Sequence, residues 1–93
     1  MGHSLGLRGQ QGRLKVGYQV AAELGAFTLS PAGPSAWQLD AAITSFDEFW
    51  VAQEAERTLE LTVGQQRWVW RSVQLVVGGG RVTGALTGRP ERR

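Results

Sequence analysis

Alternation of apolar and polar residues is the feature that most limits how this chain can fold. In residues 67–77, "RWVWRSVQLVV", Trp68 and Trp70 lie two positions apart, and Val69 and Val73 belong to the other set. Residues two apart in a β-strand point to the same face, so this pattern predicts a long strand. Similar alternation predicts strands in four further segments, namely 13–20, 26–30, 36–44 and 57–63, and residues 81–88 supply a last strand after the Gly78–Gly80 turn.

The period changes between the third and fourth predicted strands. Phe46, Phe49 and Trp50 fall at helical spacing, and Ser45 with Glu48 has the spacing of a capping box. We therefore predict a helix over about 46–54 whose aromatic face closes one side of the body. The predicted fold is mainly β with one short helix, an antiparallel barrel or sandwich in the order β-β-β-α-β-β-β.

The 93 residues are predicted to form one domain, over 13–88, between two extensions. Residues 1–12 contain four glycines and are predicted to be an extended N-terminal arm, and 89–93, "RPERR", a basic C-terminal tail. Inside the domain, Tyr18 continues the inward-facing set of the first strand. We expect the arm and the tail to contact other chains rather than their own body.

The residue types argue against an enzyme. The chain has no Cys, and its one His, His3, lies in the arm, so no metal site, cofactor or positioned general base is expected. The adjacent carboxylates Asp47 and Glu48 are explained by helix capping. No apolar run reaches the about 18 residues of a membrane span and no signal peptide is visible, so we expect no membrane partner. We also expect no small-molecule substrate.

Four tryptophans divide into two pairs. Trp37 and Trp50 occupy inward positions and are expected in the core. Trp68 and Trp70 leave two interpretations open: they point outward if the valine face of their strand is core, or the strand is buried on both faces. We predict the first, because an exposed indole pair beside arginines is typical of a contact site.

The charge pattern favours association between copies. Residues 40–60 hold six acids and one base, whereas 61–93 hold six arginines and one acid, although the net charge is only +2. One copy could thus dock head-to-tail on the next, with Arg67 or Arg71 pairing to acids of a neighbour. The candidate interface combines the aromatic and basic residues of the last third of the chain: Arg67, Trp68, Trp70, Arg71, Arg89, Arg92 and Arg93.

From about Arg13 to Glu91 the chain resembles the small structural proteins of tailed-phage particles in the order and the residue character of its elements. The closing hairpin, "QQRWVWRSVQLVVGGGRVTGALTGRPE", carries most of this resemblance to tail-tube, head–tail joining and decoration subunits. The resemblance implies a non-enzymatic virion component, assembled in the host cytoplasm from many copies or with other virion proteins. It assigns no site residues.

A second interpretation is a nucleic-acid-binding module. A helix between the third and fourth strands resembles the order of an OB-fold, which stacks bases on exposed aromatic residues in a basic groove. Trp68 and Trp70, with Arg67, Arg71 and Arg81, would form that platform. The acidic block at 40–60 opposes a broad phosphate-binding face, and such a protein would be cytoplasmic.

Overall fold

The structure, a computed structural model, describes residues 6–93 and confirms a mainly β fold with one short helix. In this part of the chain nine antiparallel strands form a single sheet that coils into a barrel-like body without closing. The elements are β1 Leu7–Gly9, β2 Gly12–Val16, β3 Gln19–Pro31, β4 Ala36–Phe46, α1 Glu48–Val51, β5 Arg57–Val63, β6 Gln66–Val73, β7 Val76–Gly78, β8 Arg81–Thr87 and β9 Glu91–Arg92.

The 13-residue strand β3 organises the sheet. Its first half pairs with β2 and its second half with β1, while β4 pairs along its other edge. The sheet order is β7-β8-β4-β3-β2-β5-β6-β9, so β8 and β6 lie near opposite margins. Coiling brings the inner faces of β4 and β6 together, and the Trp37 and Trp68 rings meet edge-on with centroids 6.5 Å apart.

The core lies on the inner face of this coiled sheet. Leu14, Leu59 and Trp70 are in register across β2, β5 and β6, and all three are buried. Residues directly opposite one another in antiparallel strands share a face, which continues the apolar row from strand to strand. The remaining large buried residues of the same cluster are Leu24, Phe27, Leu29, Leu39, Leu61, Trp68, Leu75, Val82 and Leu86.

Two glycines are required by close packing. The Phe27 ring occupies the space that a Cβ at Gly9 would take, so β1 can approach β3 only with glycine there. At Gly84, φ is +156° and a Cβ would lie 2.7 Å from Leu75 Cδ2. Leu75 thus packs into the place left by a missing side chain on β8 and fills the core beside it.

The strand boundaries differ from the predicted ones at turns. The first predicted strand ends at Val16, where Gly17 adopts φ 61° and turns the chain. Tyr18 is 96% exposed at the tip of this β2–β3 hairpin rather than inward. The long predicted strand at 67–77 is divided at Gln74–Leu75 into β6 and β7. Within β6, Ser72 adopts φ 57° where the register with β5 shifts.

The helix is shorter than predicted and is capped by a different residue. Ser45 remains in β4, paired with Glu23, and Asp47 Oδ1 accepts hydrogen bonds from the amides of Phe49 (3.0 Å) and Trp50 (3.4 Å). None of the four residues of α1 is buried. The prediction that an aromatic helix face closes the body is therefore wrong, because the coiled sheet supplies its own core.

The arm and the tail are also strands of the body. Leu7–Gly9 pairs with β3, and Glu91–Arg92 pairs with β6. The prediction that these segments leave their own body is wrong for the described residues, while the rest of the predicted arm, 1–5, lies outside them. Over residues 6–93, no helix has the length and apolar character needed to cross a membrane.

Candidate assembly interface

Trp68 and Trp70 belong to the core. They are only 8% and 3% exposed, because they lie opposite Leu61 and Leu59 on the inner face of the sheet. The predicted outward orientation is wrong: the tryptophan side of β6, rather than the valine side, faces the core. Val69 on the outer side is also buried, between Glu60 and Glu91 in register, so the middle of β6 is covered on both faces.

The C-terminal strand covers the margin of β6. Arg67 and Arg93 exchange two backbone hydrogen bonds of 2.9 Å, and Trp68 and Val69 are in register with Arg92 and Glu91. The Arg92 guanidinium lies over the Trp68 ring, 4.7 Å from its centroid, which is a cation–π contact. The tail thus covers Trp68, whose sequence neighbour Arg67 is exposed.

The residues just before this strand also contact the second indole, that of Trp70. Trp70 Nε1 donates a hydrogen bond to the Gly88 carbonyl, 3.4 Å away. A buried indole N–H needs such a partner, since leaving it unsatisfied costs about 1–3 kcal/mol. The segment that links β8 to β9 therefore ties the two margins of the open sheet together.

The predicted interface arginines are all exposed, but several already have partners within the chain. Arg71 and Arg93 both reach Glu91, at 3.1 and 3.5 Å. The predicted pairing of Arg71 with a neighbour's acid is therefore not needed to neutralise it. Arg67 and Arg89 make no side-chain ion pair with the residues that the structure describes.

The acidic block is divided between two places. Asp40 binds Arg81 at 2.6 Å and Glu60 binds Lys15 at 3.6 Å, both across neighbouring strands. The other four acids are exposed around α1 and make no ion pair within residues 6–93: Asp47, Glu48, Glu54 and Glu56.

We call the part of the molecule formed by the β2–β3 turn, residues 46–47, α1 and residues 52–56 the helix end. Three large side chains are exposed here: Tyr18 at 96%, Phe46 at 56% and Phe49 at 62%. The Trp50 ring packs edge-on against Phe49, with centroids 5.0 Å apart, and is itself only partly buried. The prediction of a buried Trp50 is therefore wrong.

At the other end, a cleft of about 400 Å³ opens between the β3–β4 turn and the tail. Trp37 and Trp68 form its floor, and Trp37 is partly buried as an inner-face residue at the margin of the core. We call this the Trp cleft; its lining residues are Pro34, Ser35, Trp37, Trp68, Gly88, Arg89, Pro90 and Arg92. Sequence reasoning missed it, because only the coiling of the sheet brings β4, β6 and the tail together.

The described residues give no sign of a metal centre: among residues 6–93, no three His, Cys, Asp or Glu side chains are placed to hold an ion. Comparison of the chain with models of protein families, with curated proteins and with solved structures finds no match.

Proposed function

We propose that this chain is a non-enzymatic structural subunit that assembles in many copies, as a component of a tailed-phage particle. The observation that carries the proposal is the chemical contrast between its two ends. The helix end exposes aromatic side chains among four acids, and the opposite end presents arginines around the Trp cleft.

Exposed aromatic residues of this size support a contact role. Phe46 and Phe49 each leave more than half of their side chain in water, although apolar side chains of this size are normally buried. Large apolar groups clustered on a small surface usually mark binding sites. Assembly would remove them from water, and burial of a Phe side chain stabilises by about 1.5–3 kcal/mol.

The shape of the body supports a repeating contact. Its principal extents are 45 × 23 × 23 Å, and β4 runs from the Trp cleft to the helix end. At about 3.3 Å per residue, the nine steps from Trp37 to Phe46 separate the two ends by about 30 Å. A contact between unlike ends leaves one free surface of each kind, so copies add until a ring closes or a stack grows.

The virion assignment rests on the resemblance of residues 65–91 to small phage structural proteins. Of this segment only β7 and β8 form a hairpin, because β6 pairs with β5 and β9 instead. The partners of the subunit would be further copies or other proteins of the particle, in the virion. The nucleic-acid alternative loses its stacking platform, because Trp68 and Trp70 are buried, although the arginines beside them are exposed.

Sedimentation velocity tests the proposal. We expect the weight-average mass to rise with protein concentration, and to fall when salt is raised, because the contact joins opposite charges. A monomer at every concentration in low salt would contradict self-assembly. Salt-sensitive binding of single-stranded DNA or RNA by that monomer would favour the nucleic-acid alternative instead.

A further inference from the structure

We infer that the Trp cleft of one copy receives the helix end of the next copy, with Phe49 as the side chain that enters it. This inference rests on the proposed function and names the contact through which assembly proceeds. It replaces the predicted contact through Trp68 and Trp70 themselves with one in which Trp68 is part of the floor of a receptor site.

The cleft has room for an aromatic ring. It is open to solvent on one side and offers about 400 Å³, more than the about 150 Å³ of an enclosed cavity that binds benzene. Of the two indoles of its floor, Trp37 is only partly buried and is the ring that an incoming side chain can meet, whereas Trp68 is 8% exposed beneath the Arg92 guanidinium. Pro34 and Pro90 also line the cleft. Aromatic pairs in edge-to-face or offset geometry contribute about 0.5–1.5 kcal/mol beyond the area they bury.

Phe49 is presented for such a contact. Its amide is fixed by Asp47 Oδ1 at 3.0 Å, and its carbonyl accepts a 2.9 Å hydrogen bond from Gln53 Nε2. The Trp50 ring supports it from one side. The two hydrogen bonds fix the backbone at Phe49, and the Trp50 ring limits where its side chain can lie, so Phe49 has little freedom to lose on binding. Phe is also among the residue types enriched at interfaces.

The charges around the two surfaces are complementary. Asp47, Glu48 and Glu54 surround Phe49 in sequence and are exposed, whereas Arg89 and Arg92 line the cleft. Opposite charges around an apolar anchor set the orientation of docking and reject wrong pairings. Each isolated surface pair contributes only about 0–1 kcal/mol, so the ring supplies the affinity and the charges supply the direction.

Photo-crosslinking from position 49 tests this contact directly. The variant Phe49→benzoylphenylalanine keeps an aromatic ring, and it would be mixed in equal amounts with heavy-isotope-labelled parent protein before irradiation. We expect crosslinks between light and heavy chains, with mass spectrometry placing them in residues 34–37 or 88–92. The matched control is Tyr18→benzoylphenylalanine, a more exposed ring at the same end, which we expect to give no crosslink in the cleft.

The outcomes separate the two proposals. Assemblies that form normally but crosslink position 49 to another surface, or to none, would overturn the Trp cleft as the receptor and leave multi-copy assembly standing. A chain that sediments as a monomer under all conditions would overturn both. Light–light crosslinks alone, formed within one copy, would show that the helix end folds onto its own body and would also overturn the inference.

Discussion

The helix end and the Trp cleft end use the same kinds of residue in opposite ways. At the helix end, Phe49 and Trp50 have the spacing of a buried face but are exposed or only partly covered. At the cleft end, Trp68 and Trp70 stand beside arginines but are almost completely buried. Local sequence pattern therefore does not decide which aromatic residues of this chain are buried. Burial depends on the residue that lies opposite in register and on the segment that covers the margin of the sheet.

Each case has a specific physical cause. Trp70 lies opposite Leu59, and its N–H donates to the Gly88 carbonyl, so its ring is packed and its polar atom has a hydrogen-bond partner. The helix, by contrast, starts only after β4 ends at Phe46. Of its four residues only Val51 packs against the core, so the rings of Phe49 and Trp50 are left outside it.

The largest expected effect compares the same substitution at the two ends. Trp70→Ala should lower the free energy of unfolding by roughly 3–5 kcal/mol, because it empties a large buried site and leaves the Gly88 carbonyl without its donor. Trp50→Ala should cost only about 1–2 kcal/mol, because that ring is partly exposed. Denaturant unfolding of both variants checks this, and equal losses would refute the contrast.

Removal of the tail tests what shields Trp68. A chain ending at Pro90 loses the backbone pairing of Arg93 with Arg67 and the Arg92–Trp68 contact. We expect the free energy of unfolding to fall by about 1–2 kcal/mol and the tryptophan fluorescence to shift to the red, because Trp68 becomes more exposed to water. The variant Arg92→Ala should show a smaller part of both changes. An unshifted spectrum in the truncated chain would mean that β9 does not cover the indole.

The helix cap gives an intermediate effect with a built-in control. Asp47→Ala should cost about 1 kcal/mol, because it removes the acceptor for the amides of Phe49 and Trp50. Ser45→Ala should be close to neutral, since Ser45 is an exposed strand residue. Thermal unfolding of the two variants shows which residue caps the helix. A larger loss of stability in Ser45→Ala than in Asp47→Ala would support the capping box that the sequence predicts.

The smallest expected effect on stability is at the proposed anchor. Phe49→Ser should change the free energy of unfolding by no more than about 0.5 kcal/mol, since the ring is 62% exposed. The same variant should reduce assembly, whereas Tyr18→Ser should leave both properties unchanged. Sedimentation and denaturant unfolding of the two variants measure this, and a strong loss of stability in Phe49→Ser would place that ring in the core.

The fold class could be predicted from the sequence because alternation is a local property. Leu14, Val16, Leu59 and Leu61 alternate with polar residues and are all buried as expected. The short strands β1 and β9 could not be predicted, since they exist only through pairing with longer strands. Nothing in the order of residues indicates that Glu91 and Arg92 extend the sheet beside β6.

The candidate site was predicted in part. Its arginines are exposed as expected, and Arg89, Arg92 and Trp68 do meet in one cleft. The face of β6 was assigned wrongly, because both sides of "WVW" are apolar and period alone cannot choose between them. Trp37 was missed as a partner of Trp68, since 31 residues separate them and only the coiling of the sheet joins β4 to β6.

Charge exchange between the two ends tests the central claim, head-to-tail assembly, most directly. One variant carries Glu48→Lys, Glu54→Lys and Glu56→Lys at the helix end, so that bases outnumber acids there. The other carries Arg89→Glu and Arg92→Glu in the lining of the cleft. We expect each variant alone to sediment as a monomer, because its two ends then carry like charges. We expect the equimolar mixture to assemble like the parent, because each contact between one variant and the other joins opposite charges. A mixture that stays monomeric, or either variant assembling alone as well as the parent, would contradict the account.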